Sequence, residues 1–357
     1  MKVKGKAIRL VSAAAVFCIL GSGCGSAQPM QEISQRKQLV LMIDSDAAQT
    51  VQQAAEEFIN RAEYYSDGEL EIELKEQSNA VKQLTDTEYD LAFLENEALS
   101  DEIEELKTLE LPFFFKNADY QFSSLNSERT KAYLNKLLQK EWDISLLMAT
   151  TSGYVDFAAD AATDFTDYQK RYPIAVSREL FPEKIQQDIG AQIIIDEQPF
   201  SLLLRESEGQ DSPEIAPALL SQIITAAKTE KYRSRLAVLS GPRQISTAYL
   251  VAQNSLISAL SAKQQAAVEQ AAVMACGYCR TLSDQQREKE RKELEELGVK
   301  IIPINTEKYF DMMGDYYQYQ AGELLYRPDA ELDRLVRSDG VKKTFSDQKR
   351  SGKENES

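Results

Sequence analysis

Apolar residues along the chain follow two alternating patterns. Short runs of strand length recur at Leu39–Ile43, Tyr89–Leu94, Leu109–Phe115, Ile144–Met148, Tyr172–Val176, Gln192–Ile195, Leu236–Leu239, Ala248–Ala252 and Val299–Ile304. Leu70, Ile72 and Leu74 alternate with Glu71 and Glu73, the period of a strand with one wet face. Helical spacing falls between most of these runs. Val51, Ala54, Ala55, Phe58 and Ala62 share one helix face. Asp46 is placed to cap that helix with Gln49 as its capping-box partner, and Gly68 can end the turn beyond it. This alternation predicts α/β lobes with largely parallel sheets.

One helical stretch is much longer than the rest. Ser261 and Gln264 form an S-x-x-Q capping box, no proline intervenes, and Gly298 is suited to the C-terminal cap. A helix between them has about 36 residues and measures about 54 Å, more than one small lobe. Val268, Ala271, Ala272, Ala275, Cys279 and Leu282 make its first half partly buried. Its second half is charged nearly all round and reads as a solvated face, with Glu288 and Lys292 at i,i+4.

The N-terminus has a different character. Lys2, Lys4, Lys6 and Arg9 precede the apolar run Val11–Leu20, which is too short to span a bilayer. This is the pattern of a secretory signal. Leu20-Gly21-Ser22-Gly23-Cys24 resembles a bacterial lipobox, which implies acylation of Cys24 and a palmitate-bearing membrane anchor on the extracytoplasmic face. The expected organisation is therefore a signal peptide at 1–23, a flexible tether at 24–37, a folded region at 38–337 and a disordered polar tail at 338–357. About 300 residues exceed one ordinary core, so two lobes are expected. Lobe 1 is expected mainly at 38–145 plus 205–250, and lobe 2 mainly at 150–204 plus 251–330.

Charge and composition remove several function classes. The net charge is −16, which argues against nucleic-acid binding. The chain has no histidine, so it has no Ser-His-Asp or Cys-His arrangement. No P-loop, dinucleotide-binding or H-E-x-x-H motif occurs. Cys276 and Cys279 form a lone C-x-x-C inside the long helix, away from the helix start that would favour a thiolate. They are expected to be structural thiols or an incidental disulfide. No cofactor, metal or enzymatic activity is expected.

At this point the chain resembles a family. Asp67-Gly68-Glu69-Leu70 resembles its glycine turn into a strand, Tyr89–Phe93 the strand closing the first half-lobe, and Leu111-Pro112-Phe113-Phe114-Phe115 its Leu-Pro-Phe element. Trp142–Tyr154 resembles its crossing strand. Gly209, Asp211, Glu214 and Pro217 resemble its glycine- and proline-bearing run, and Leu260–Val299 its long helix and following strand. Together, from about Leu39 to Met313, these are similar to the solute receptors of tripartite ATP-independent periplasmic (TRAP) transporters, the DctP type. The resemblance implies a two-lobed periplasmic-binding-protein-like α/β fold with a ligand cleft between lobes and a long helix spanning both. It implies capture of a small solute, closure of the lobes, and docking on TRAP membrane subunits that use an ion gradient. A monomer is expected.

The same resemblance points to departures. Receptors of this type hold a carboxylate with arginines, because a guanidinium offers two parallel hydrogen bonds. Val155 and Ala175 stand at those positions here, with Arg171 and Arg178 nearby. The solute is then uncharged, cationic or aromatic, or the protein is a sensory or adaptor lipoprotein that signals to another membrane partner. The candidate ligand-binding residues are Asp46, Glu95, Asn96, Phe113, Tyr154 and Arg178. Asp46, Glu95 and Asn96 follow strand ends, where α/β sheets place ligands. Tyr154 and Arg178 flank the replaced arginines, and Phe113 lines an apolar cleft wall or belongs to plain core.

Overall fold

Alternate residues of the first strand serve two different cores. Leu39, Leu41 and Ile43 pack into one, while Met42 joins the other. Leu91 and Phe93 against Ala92 and Leu94 do the same on the neighbouring strand. Both faces of this part of the sheet are therefore covered, which is why the runs read as continuously apolar.

The computed structural model describes residues 36–84, 89–160, 215–234, 236–303, 306, 310–311 and 328–338. The leader with Cys24, the tail beyond 338, and the expected strands at Tyr172–Val176 and Gln192–Ile195, with Arg178, lie outside them. The first strand, β1 (Lys37–Asp44), is followed by α1 (Gln49–Tyr65), β2 (Leu70–Gln77), β3 (Leu91–Glu95), α2 (Asn96–Ser100), α3 (Ala118–Leu125) and α4 (Glu128–Trp142). Then come β4 (Ile144–Asp160), β5 (Ile215–Ala218), α5 (Leu220–Ala227), α6 (Glu230–Arg233), β6 (Leu236–Gln253), α7 (Asn254–Ala259), α8 (Ala262–Glu296) and β7 (Lys300–Pro303).

These strands form one seven-stranded sheet in the order β2-β1-β3-β6-β4-β5, with β7 also paired to β6. It is mixed rather than largely parallel. β1 pairs parallel with β2 and β3, and β6 with β7, but β6 runs antiparallel to both β3 and β4. The runs Leu236–Leu239 and Ala248–Ala252 are the two ends of a single strand. Gly241-Pro242 between them is absorbed by the sheet as an irregularity. Val155 pairs with Gln244 and Phe157 with Leu239, so Ser240–Arg243 face Asp156 alone.

The two ends of β6 have different company. Ala248–Ala252 lies against β3, and Ala237–Ser240 against β7. The first half of β4 pairs with the same end of β6 that β3 pairs with on its other side, and the last residues of β4 pair with both β6 and β5. The sheet thus groups β1, β2, β3 and the C-terminal end of β6 in one half. It groups β5, β7 and the N-terminal end of β6 in the other. Residues beyond 250 were expected in lobe 2, yet Val251 and Ala252 sit against Ala92 and Leu91.

Helix α8 has 35 residues and begins at Ser261, whose hydroxyl accepts from Gln264 N while the Gln264 side chain accepts from Ser261 N. Gly298 follows its end at φ +80°, a region favourable to glycine. Ala267, Ala271, Ala272 and Ala275 let α8 approach α1 and the first half of the sheet, and Leu294 enters the core of the second half. One helix is therefore shared by both halves.

Two local expectations fail for identifiable reasons. Helix α1 is not capped by Asp46. Its N-cap is Ala48, whose N–H is 3.4 Å from a Glu95 carboxylate oxygen, while Asp46 turns to Asp44. Leu109–Phe115 is not a strand. Glu104–Glu110 forms a 3₁₀ helix and Phe113 adopts φ +55°, which ends any extended run. Its N–H donates to Arg243 O at 2.6 Å.

Phe58 of α1 is fully buried in the first-half core. Phe58→Ala is expected to destabilise the protein by about 3–5 kcal/mol, whereas Tyr64→Ala, at an exposed position, should leave it within about 0.5 kcal/mol. Urea denaturation of the two variants checks this.

Candidate functional site

The C-terminal ends of β1 and β3 open toward the middle of β4, where the sheet passes from one half to the other. A cavity of about 530 Å³ lies there, lined by Ala48, Thr50 and Gln53 of the α1 start, Ser152 and Tyr154 of β4, Leu220 of α5, and Arg287 of α8. It is bounded by elements of both halves.

Glu95 ends β3 beside this cavity. Burial pushes its carboxyl above the usual carboxylate range, only partly offset by the Ala48 N–H and the nearby Ser152 hydroxyl, and Glu97 and Asp46 push the same way. Asp46 itself is exposed, and its carboxyl is raised by hydrogen bonding to Asp44 and by that group's charge. The Thr50 hydroxyl donates to Ser152 O at 2.7 Å, tying the α1 start to β4. Ser152 is 3% exposed, and its own hydroxyl has no properly formed hydrogen bond.

Tyr154 faces α8. Its hydroxyl donates to the Asp284 carboxylate, and burial, then that contact, push the phenol up. The Arg287 guanidinium lies 5.0 Å from the Tyr154 ring centroid. Its Nε and Nη2 also donate to the two oxygens of Asp156 at 3.1 and 2.5 Å. The Asp156 side chain is 1% exposed and that of Arg287 is 26% exposed. Asp156 additionally lies 3.4 Å from Gly241 N in the irregular stretch of β6.

The candidate residues separate into two groups. Tyr154 lines the cavity, Glu95 reaches the N–H of the lining residue Ala48 without lining it, and Asp46 is exposed and not part of the lining. Asn96 and Phe113 are buried in the core on the opposite face. The Asn96 amide donates to Glu110 at 2.7 Å and its oxygen accepts from Tyr249 at 2.7 Å. The Phe113 ring packs 5.9 Å from that of Phe157. Ser152, Thr50, Asp156, Asp284 and Arg287 were not singled out from sequence. Asp284 and Arg287 lie in the charged half of α8, which is not wholly a solvated face: the two residues, one turn apart, both reach β4. Cys276 and Cys279 are buried free thiols with no disulfide between them. Burial holds Cys279 up at about 12 and Cys276 well above its usual value, so neither is a ready thiolate. Among the described residues no cluster of His, Cys, Asp or Glu is arranged to hold a metal.

Residues 44–169 match the family described as bacterial extracellular solute-binding protein, family 7 (DctP). A TRAP periplasmic solute-binding protein from Rhodobacter sphaeroides, in an apo open form, aligns with TM-score 0.68 at 14% identity over 85% of this chain and 99% of that one. This chain has the fold of the TRAP solute-binding proteins. The Chromohalobacter salexigens TRAP solute-binding protein with bound D-glucuronate aligns at TM-score 0.57 and 17% identity, over 85% and 98% of the two chains. The sugar acid binding protein from Advenella mimigardefordensis in complex with galactonate aligns at 0.59 and 16%, over 86% and 99%. No curated protein matches the sequence. In this TRAP-receptor fold, β4, β6 and α8 are the elements common to both halves.

Arg287→Ala removes the counter-charge of a buried Asp156 carboxylate. It is expected to cost about 3–5 kcal/mol, and the double variant with Asp156→Asn to recover much of that. Urea midpoints of the single and double variants measure the coupling.

Proposed function

We propose that this protein is an extracytoplasmic solute receptor serving a TRAP-type importer, held at the membrane through Cys24. The observation that carries the reading is the cavity lined by Thr50 of α1, Ser152 and Tyr154 of β4, Leu220 of α5 and Arg287 of α8, elements of both halves of the sheet. The halves share two strands and one helix, so a solute touching both favours the closed arrangement by its added contacts. The family match and the fold of receptors that bind glucuronate and galactonate support a small polar solute. Such a receptor binds its solute and releases it unchanged. No helix among the described residues is long and apolar enough to cross a membrane, which is compatible with attachment by acyl chains.

A second reading is a sensory or adaptor lipoprotein with the same fold. Val155 and Ala175, standing where the resemblance implies arginines, favour it. Crosslinking to a membrane partner other than transporter subunits would support it.

The receptor reading predicts that one solute from a library of sugar acids, organic acids, amino acids and neutral sugars raises the unfolding temperature by several degrees. A solute at 100 times its dissociation constant adds about 2.7 kcal/mol. No shift across the library or with a cell extract would count against a receptor. The anchor predicts that Cys24→Ala abolishes labelling by radioactive palmitate in cells and moves the protein out of the membrane fraction.

A further inference from the structure

We propose that Arg287 of α8 receives the anionic group of the solute and that Asp156 of β4 positions it to do so. This rests on the receptor reading. It places the binding cation on the long helix, away from the two positions where the resemblance implies arginines and where Val155 and Ala175 stand.

A guanidinium has five N–H donors, and two of its edges can each hold a carboxylate by parallel bonds. At Arg287 one edge is spent, since Nε and Nη2 donate to the two oxygens of Asp156. One face lies against the Tyr154 ring. The other edge, Nη1 with the second N–H of Nη2, has no acceptor among the described residues. Arg287 lines the cavity and its side chain is partly exposed, so a solute there can reach that edge. Arg291, one turn further along α8, differs: it is spent on Glu288 through Nε and Nη2 and on Glu295 through Nη1. The other charged residues of the lining are Lys289, which is exposed, and Glu290, which accepts from the Gln286 side chain.

The anchoring of the spent edge is what fits the free one for binding. Asp156 is buried in the irregular centre of the β4–β6 ribbon. A guanidinium clamped by it along one edge and stacked on Tyr154 has little rotamer freedom left to lose when a solute arrives. The free edge offers only donors. A carboxylate takes two of them in parallel, a hydroxyl takes one, and an ammonium takes none and meets like charge from Arg287 and Lys289. The first half of the sheet supplies a complementary set. Gln49 and Gln53, one turn apart on α1, line the same cavity. Their amides both donate and accept. A solute held by its acid group on Arg287 can spend its neutral polar groups on them and so touch both halves at once.

The test uses the full chain purified in detergent, with D-glucuronate, D-glucose and D-glucosamine as probes of one skeleton and three charges. Succinate and putrescine repeat the comparison on an open chain. A metabolite extract split on an anion-exchange resin is the fourth probe. The acids are expected to bind more tightly than their neutral and basic counterparts by calorimetry, and the stabilising activity of the extract to lie in the retained fraction. The double variant Arg287→Gln with Asp156→Asn removes both charges of the pair, so it should fold. It should bind the acid about tenfold to a hundredfold less tightly and lose the preference for acid over neutral probe, the scale of lost charge-assisted bonds. Arg287→Lys keeps a charge for Asp156 without a second edge, and should lose part of the same preference. Where no acid of the panel binds, the retained fraction takes its place in the same comparison. A double variant that keeps the acid preference, as a purely structural pair would, overturns the assignment. So does tighter binding of a neutral or basic probe. If the extract stabilises the protein only through its unretained fraction, the receptor reading stands and the role of Arg287 falls. If neither the panel nor any fraction has an effect, both fall.

Discussion

The antiparallel pairing of β4 with β6 is the constraint on which the rest of the molecule depends. It runs from Ile144–Gln253 at one end to Asp160–Leu236 at the other. Every other strand attaches to this ribbon directly or through a neighbour. The ribbon is irregular at its centre, with register shifts near Thr151–Gly153 and Val155–Phe157. Bulges locally relax the ladder and increase twist. The two halves therefore meet where the backbone pairing is least regular, and the cavity lies at the same place.

Polar side chains stitch that centre to its surroundings. Thr150 donates to Cys276 O and Ser283 to Thr151 O, fastening β4 to α8 on one side. Thr151 donates to Gln121, which itself donates to Ile245 O and Thr247, fastening β4 to β6 and α3 on the other. Tyr154 with Asp284, and Asp156 with Arg287, continue the attachment along the charged half of α8. A helix bound in this way to one strand and buried at its far end by Leu294 links the second half to α1, against which its first half packs.

The site shows how far strand-end reasoning reaches. Glu95 and Asp46 were singled out because ligands gather at the carboxyl ends of parallel strands; β1 and β3 are parallel neighbours here, yet neither residue is in the lining of the cavity. The same rule also brought in Asn96, one residue further on, but the chain turns there into α2 and sends the amide into the core toward Glu110 and Tyr249. Ser152 carried no signal, since a serine in a Thr-Thr-Ser-Gly stretch looks like any polar strand residue. Arg287 was hidden differently. A charged helical run normally faces water, and only the position of Asp156 across from it distinguishes this arginine from Arg291, which pairs with Glu288 and Glu295 on its own helix.

Local chemistry written into the chain determined most of the elements. The Ser261–Gln264 box starts α8, Gly298 follows its end, the alternation from Leu70 to Leu74 makes β2, and the 3.6-residue period from Val51 to Ala62 makes α1. These depend on neighbours a few residues apart, so they are legible without knowing the fold. Contacts between distant segments decided the rest. Whether Gly241-Pro242 turns or continues depended on Asp156 lying opposite. Whether Leu109–Phe115 extends depended on where Phe113 could bury its ring. Whether Asp46 caps α1 depended on Glu95, 47 residues away, reaching Ala48 first. The pairing of Arg287 with Asp156 is of this second kind, because it joins α8 to β4 across 131 residues of sequence.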